Sequence, residues 1–326
     1  MNDIPRLLKQ FGLRPKKSLG QNFLVDEQAL AQIVQAAEVN ANDTVLEIGP
    51  GLGSLTHHLA DAARRVIAVE IDRNLIPPLQ STLANRTNVE IIQGDILQLD
   101  PAKLVASRGQ LGTGQLVTGQ LVISNQPTNQ PINQLTNQPV NQLTNPHYKV
   151  VANIPYYITS AIIRHLIEAP IRPELLVLTV QLEVAQRIVA QPDDMNLLAV
   201  GVQFYGTPRI VGRIKADAFY PSPNVDSAMV RIDLPDTPRV QVNNVDTFFA
   251  VAKAGFSQKR KQIHNSLVAG LALRREEVAR LLQAAEIDPK RRAETLTLEE
   301  WARLANLVDQ ESGDWGSGNW GSGIGN

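Results

Sequence analysis

The 326-residue chain contains no cysteine. That absence excludes disulfides, thiolate zinc ribbons, iron–sulfur ligation and a catalytic thiol, and it is compatible with a reducing compartment. Histidine is scarce as well. His57 and His58 are adjacent, and His147, His165 and His264 stand far apart, so none has metal-ligand spacing and no metal is expected. No apolar run approaches the ~18 residues of a membrane-crossing helix, and the stretch from Met1 to Gln10 lacks the apolar core of a signal peptide. A cytoplasmic protein without membrane contact is therefore expected. Neither sign of charge is in excess, with 31 Lys+Arg against 32 Asp+Glu. At roughly 150 residues per domain, this length implies about two domains.

The near-neutral total hides an uneven distribution. Residues 1–20 carry five basic side chains (Arg6, Lys9, Arg14, Lys16, Lys17) against Asp3, and residues 253–292 carry ten against four acidic ones. The stretch 293–326 reverses the sign, with Arg303 facing six carboxylates. Two basic segments distant in sequence could converge on one RNA-facing surface, masked in the total by the acidic end; a solvated helix face is the plainer alternative for either segment. Residues 105–147 differ from the rest. They hold a single formal charge, Arg108, and two short-period repeats, Gly-Gln-Leu from Gly109 and Asn-Gln from Asn125 to Asn141. Such a Gln/Asn-rich, proline-interrupted composition does not supply a packed core, so a disordered surface insertion is expected. A flexible tail is expected over 311–326.

Elsewhere short β-branched runs alternate with helix-like segments. Thr44–Ile48, Arg65–Val69, Val89–Ile92, Lys149–Ala152 and Leu175–Val180 read as strands separated by helices such as Leu55–Ala62 and Ser160–Glu168. This alternation predicts an α/β fold, a parallel sheet with helices on both faces. Beyond about residue 240 the apolar spacing becomes helical, which predicts a smaller all-helical C-terminal domain. The expected division is a basic segment at 1–30, a Rossmann-like domain at 31–240, a smaller helical domain at 241–310 and the tail; the roles of the first and third, a share in a cofactor pocket and RNA binding, are what the family resemblance given below implies.

The first strand runs into Glu47-Ile48-Gly49-Pro50-Gly51-Leu52-Gly53-Ser54. A dinucleotide fingerprint wants its third glycine one position later, where Ser54 stands, so a nicotinamide dehydrogenase is disfavoured. An acidic-x-Gly-x-Gly-x-Gly turn more typically approaches S-adenosylmethionine, with Gly49 and Gly51 as close-approach positions; a tight turn without a ligand is the alternative. Glu70 closes the second strand, where a carboxylate can accept from ribose hydroxyls, and Asp95 closes the third, where one can accept from an adenine amine. Either could instead cap a helix.

The fourth strand ends in Asn153-Ile154-Pro155-Tyr156, similar to the Asn-x-Pro-Tyr signature of methyltransferases that act on exocyclic amines of nucleobases. The chemistry accounts for the residue types. An adenine N6 is a weak nucleophile because its lone pair is delocalised. Carbonyl acceptors from Asn153 and the neighbouring main chain stabilise charge developing there in an in-line displacement, and Tyr156 offers a stacking face to a base removed from its own stack.

Together with Lys16-Lys17-Ser18-Leu19-Gly20-Gln21-Asn22-Phe23-Leu24, Ala218-Phe219-Tyr220-Pro221-Ser222-Pro223-Asn224-Val225-Asp226-Ser227 and Phe256-Ser257-Gln258-Lys259-Arg260-Lys261, these residues resemble the small-subunit (16S) ribosomal RNA adenine N6,N6-dimethyltransferases. The resemblance implies a class I S-adenosylmethionine-dependent methyltransferase domain. It implies cofactor contacts at Asn22, Leu24, Gly49, Gly51, Glu70, Asp95 and Asn153, and catalytic roles for Asn153, Tyr156 and Phe219, the last stacking on the target base opposite Tyr156. RNA contacts are implied at Lys16, Lys17, Lys259, Arg260 and Lys261. The implied reaction dimethylates two adjacent adenosines near the 3′ end of small-subunit ribosomal RNA late in assembly. The implied partner is the immature small ribosomal subunit, with the enzyme a monomer. A large-subunit adenine methyltransferase and a non-catalytic assembly or transcription factor are the competing readings.

Overall fold

A computed structural model describes residues 4–106, 117–118 and 147–313. These divide into two compact units, Met1–Ala185 with Arg209–Leu234, and Gln186–Pro208 with Pro235–Asn326. The strands in chain order are β1 (Phe23–Leu24), β2 (Thr44–Ile48), β3 (Arg65–Glu70), β4 (Val89–Gln93), β5 (Val117–Thr118), β6 (Lys149–Asn153), β7 (Leu175–Gln181), β8 (Thr207–Ile214), β9 (Phe219–Tyr220) and β10 (Ser227–Asp233). The helices are α1 (Ile4–Gln10), α2 (Glu27–Ala36), α3 (Ser54–Ala62), α4 (Ile76–Thr82), α5 (Pro101–Ala106), α6 (Thr159–Ile167), α7 (Leu182–Ile188), α8 (Leu197–Tyr205), α9 (Val245–Phe256), α10 (Ile263–Leu271), α11 (Arg275–Ala284) and α12 (Leu298–Gly313).

The first unit is built on a sheet of order β5-β4-β3-β2-β6-β7-β10-β8. Its central strands are parallel, with Val45 opposite both Val66 and Lys149. Every residue of β2 is buried, as expected of a strand covered on both faces. The five expected strands are all present. The sheet is not wholly parallel, however: β10 runs antiparallel to β7, pairing Ser227 with Gln181 and Asp233 with Leu175. β8 and β10 are neighbours in the sheet joined without an α-helix, so the strand–helix–strand crossover that yields a parallel pair is absent at this edge. The carboxyl ends of β2, β3 and β6 come together on one edge, and there such sheets bind ligands.

The expected insertion at 105–147 lies largely outside the described residues. Its first residue does not behave as insertion: Val105 is buried in the last turn of α5. Val117–Thr118 pair with Ile92 and Gln93 as an edge strand. His147 is exposed and contacts Glu174 at 2.8 Å. The tail expectation is outside the described residues from 314 onward, while α12 continues through Gly313.

The second unit is helical. Phe204 of α8 stacks on Phe248 of α9 with ring centroids 4.5 Å apart, and Trp301 of α12 lies fully buried in the same core. The segment Gln186–Pro208, inside the expected 31–240 domain, thus belongs with the helical unit. The reason is apolar coverage: α8 buries Ala199, Val200, Val202 and Phe204 and needs helical partners. Among the described residues no helix is long and apolar enough to cross a membrane, and no cluster of His, Asp or Glu could hold a metal.

Candidate active site

The turn after β2 is set by backbone conformation. Gly49, Gly51 and Gly53 have φ of +70°, +60° and +91°, a region that costs an L-residue about 1–2 kcal/mol. A Cβ at Gly51 would lie 2.9 Å from the Phe23 ring, so the loop passes β1 with no room for a side chain. The cavity beside this loop is lined by Leu19 to Leu24, by Glu47, Gly49 and Gly51, by Glu70 and Ile71, and by Asn153 to Tyr156. Most of the expected cofactor contacts therefore meet in one place: Asn22, Leu24, Gly49, Gly51, Glu70 and Asn153.

Glu70 is buried at the end of β3. Its Oε2 accepts from the Gly51 N–H at 3.0 Å and its Oε1 from the Asp72 N–H at 2.8 Å. Burial pushes the carboxyl up to about 7 against the pull of those N–H groups, and the Asp72 charge adds to the rise. The composition of the motif gave Glu47 no role of its own, yet it lines the same cavity at 1% exposure. Its Oε2 has no hydrogen-bond partner among the described residues. Burial raises this carboxyl to about 8, outweighing the nearby Thr56 hydroxyl, and the Glu70 charge works in the same direction. Glu47 is thus mostly protonated at neutral pH. The signal available in the sequence was a carboxylate inside an otherwise apolar strand.

Asn153 ends β6. Its Nδ2 donates to the Asn22 main-chain carbonyl at 3.0 Å. With the donor end of the amide held, Oδ1 is the end left for a ligand. Tyr156 opens the 3-10 turn after Pro155, and its hydroxyl lies 2.7 Å from the Ser227 hydroxyl at the start of β10. That bond and partial burial fix the ring at the cavity wall, and burial pushes the phenol above its ordinary value. Tyr156 is therefore a neutral aromatic face.

Two expected site residues fall elsewhere. Phe219 was to stack opposite Tyr156, but it is 3% exposed and does not line the cavity. Alternation along β9 explains this: Phe219 opposes Leu24 and turns into the core with it, whereas Tyr220, opposite Phe23, turns outward. Asp95 is also absent from the cavity lining and caps the following turn, its Oδ1 accepting from the Leu97 N–H at 3.0 Å. Lys16 is committed in part to an ion pair, its Nζ 2.7 Å from Asp72 Oδ1, while its side chain remains 40% exposed.

The remaining basic positions are exposed. Lys17 lies in the first unit, and Lys259, Arg260 and Lys261 form the turn between α9 and α10 of the second, without an ion pair among the described residues. Much of the surrounding positive charge is internally matched: Arg274 pairs with Glu277, Arg291 with Glu300 at 2.6 Å and Arg292 with Glu294 at 3.6 Å. Three consecutive exposed cations, with the exposed Arg275, Arg280 and Lys290, thus remain for a phosphate backbone.

Residues 12–310 match the family described as ribosomal RNA adenine dimethylase. A protein of Moorella thermoacetica named ribosomal RNA small subunit methyltransferase A is 44% identical over 305 residues, covering 93% of this chain and 95% of its own length. A Dehalococcoides mccartyi protein of the same name is 40% identical over 304 residues, covering 93% and 92%. Among solved structures, the 23S rRNA methyltransferase ErmE is similar at TM-score 0.63 and 27% identity, covering 89% of this chain and all of its own. A dimethyladenosine transferase from Plasmodium falciparum shares the fold at TM-score 0.65 and 22% identity, covering 89% of this chain and 98% of its own.

Proposed function

This chain belongs to the ribosomal RNA adenine dimethylase family, and from that premise we propose that it dimethylates N6 of two adjacent adenosines in the 3′-terminal hairpin of small-subunit ribosomal RNA, using S-adenosylmethionine, on the immature small subunit in the cytoplasm. It is an enzyme of ribosomal RNA. The small-subunit assignment follows the relatives at 40% and 44% identity rather than the 23S enzyme at 27%.

The residues present fit the cofactor. Two positive-φ glycines, Gly49 and Gly51, leave a side-chain-free approach, Glu70 stands at the end of β3, and the buried Glu47 Oε2 in the cavity lacks a partner among the described residues. When bound, S-adenosylmethionine supplies a methyl group on a sulfonium, an electrophile that needs no activation by the protein. Glu70 would hold the ribose hydroxyls. Asp95 would take the adenine amine through the oxygen that does not cap Leu97, in a loop tied to β3 by the Gly94 N–H to the Glu70 carbonyl at 2.9 Å.

The observation that carries the proposal is the held amide of Asn153. Its Oδ1 accepts one N–H of the target amine. Within the same turn the Pro155 and Tyr156 carbonyls already accept from the Ile158 N–H at 3.3 Å and the Thr159 hydroxyl at 3.1 Å, which leaves the Ile154 carbonyl for the second N–H. Two fixed acceptors stabilise the positive charge that develops on nitrogen as the N–C bond forms. Tyr156 stacks on the base, and Phe219 supports Leu24 from the core side of the cavity wall. Lys17 and Lys259 to Lys261 contact phosphates. The test is methyl transfer from radiolabelled S-adenosylmethionine into immature small subunits and, separately, into large-subunit RNA, with the product nucleoside identified. N6,N6-dimethyladenosine at adjacent positions of the small-subunit RNA is expected. Transfer confined to large-subunit RNA would overturn the assignment.

A further inference from the structure

We propose that Asp72, just beyond β3, is a positioning residue for methyl transfer, acting across the cavity through the N-terminal segment on Asn153. This inference rests on the reaction proposed above. The Asp72 side chain is only 3% exposed, yet both of its oxygens are occupied by that segment: Lys16 Nζ donates to Oδ1 at 2.7 Å and Gln21 Nε2 donates to Oδ2 at 2.9 Å. Gln21 Oε1 in turn accepts from the Lys16 N–H at 2.8 Å, so the three residues form a closed ring. The Asn74 N–H adds a third donor at 3.0 Å. Burial pushes the Asp72 carboxyl upward, but these donors together outweigh it and hold the group below its ordinary value. A carboxylate removed from water is unfavourable unless its partners are in good geometry, and here they are.

The consequence appears one residue along. Asn22 follows Gln21 directly, and its carbonyl is the acceptor that holds the Asn153 amide. On the other side the segment is pinned by the two-residue pairing of β1 with β9 and by the Val25 N–H to the Ala218 carbonyl at 2.9 Å. Asn22 thus sits between two anchors, a strand pairing and the Asp72 clasp. The clasp determines where the Asn22 carbonyl lies, and that carbonyl determines which end of the Asn153 amide faces the target amine. Asp72 also donates its own N–H to Glu70 Oε1 at 2.8 Å, so one turn serves both the ribose side and the methyl-accepting side of the cavity. Releasing the clasp should let the amide rotate or drift. A misplacement of about 1 Å at a reacting group can cost as much as 10²-fold in rate.

The test is single-turnover methyl transfer into immature small subunits at saturating S-adenosylmethionine, for wild type, Asp72→Asn, Lys16→Met, Asn153→Ala and Asp72→Asn combined with Asn153→Ala. Cofactor affinity is measured alongside by equilibrium dialysis. Asp72→Asn and Lys16→Met are each expected to slow transfer roughly 10- to 100-fold with cofactor affinity within about threefold of wild type. In the Asn153→Ala background, Asp72→Asn should add almost nothing, because the amide it positions is gone. Full multiplication of the two losses would overturn the inference, as would unchanged transfer by both clasp variants. Should Asp72→Asn fail to fold, Lys16→Met alone and combined with Asn153→Ala decides the matter by the same criterion. A wild-type protein that transfers no methyl group would overturn the functional reading and this inference with it. Wild-type transfer with multiplicative losses would overturn the inference alone.

Discussion

Replacing Glu47 with glutamine should change the pH dependence of stability in a way that only a protonated, buried carboxyl explains. The group titrates at about 4.5 when exposed and at about 8 in the folded chain, raised by burial and by the nearby Glu70 charge. Between those values the native state holds a proton that the unfolded chain has released, so stability falls as pH rises through the window and the loss is complete above pH 8. Each pH unit in the window changes the folding equilibrium about tenfold, and the accumulated loss is about 3 to 5 kcal/mol. Glutamine has the same shape and does not titrate, though it brings an extra buried N–H that costs about 1 to 2 kcal/mol at every pH. The informative quantity is therefore the slope. Urea denaturation of the ligand-free protein, following the transition of the α/β unit from pH 5.5 to 9, should show Glu47→Gln gaining about 3 kcal/mol or more on wild type across that range. Glu70 titrates in both proteins and cancels to first order in the difference. Parallel profiles, within about 0.5 kcal/mol throughout, would mean that Glu47 is ionised in the folded chain and would refute the reasoning.

Asn153→Ala should slow single-turnover transfer on the order of 10²- to 10³-fold while cofactor affinity changes little; equal losses in both would make Asn153 chiefly a cofactor contact. Phe219→Ala, at a position 3% exposed, should destabilise the fold by about 3 to 5 kcal/mol in a denaturation midpoint, whereas a ring that only stacked on substrate would leave stability intact. Gly51→Ala would place a methyl 2.9 Å from the Phe23 ring at a φ of +60°, and it should weaken cofactor binding by about tenfold or more in a titration. Replacing Lys259, Arg260 and Lys261 with glutamine should weaken RNA binding and flatten its dependence on the logarithm of salt by about two to three units of slope, with cofactor affinity unaltered.

Most of the candidate site was legible in the sequence because it consists of residue types at fixed local spacings. Three glycines in a strand-to-helix turn require positive φ wherever the turn is built, and strands ending in Glu70 and Asn153 place polar groups at the carboxyl edge of any parallel sheet. The order of β-branched runs and helical segments fixed the fold class for the same reason, since each element is specified by its own few residues. Position within the core was not legible. Phe219 and Tyr220 are adjacent aromatics, and only the register with Phe23 and Leu24 decided which one the core would take. Asp95 had the composition of either a ligand contact or a cap, and only the folded turn shows that one of its oxygens accepts from the Leu97 N–H.

What the sequence determined by itself was thus the set of groups able to do the chemistry: the glycine turn, the carboxylates, the amide and the aromatic beside it. Tertiary structure alone decided how they are held. Lys16 and Asp72 are 56 positions apart and Asn22 and Asn153 are 131 apart, and no local propensity encodes a meeting at 2.7 or 3.0 Å. Protonation belongs to the same category. A glutamate has the same ordinary acidity wherever it occurs in a chain, and Glu47 departs from it only because folding removes its water and sets Glu70 nearby.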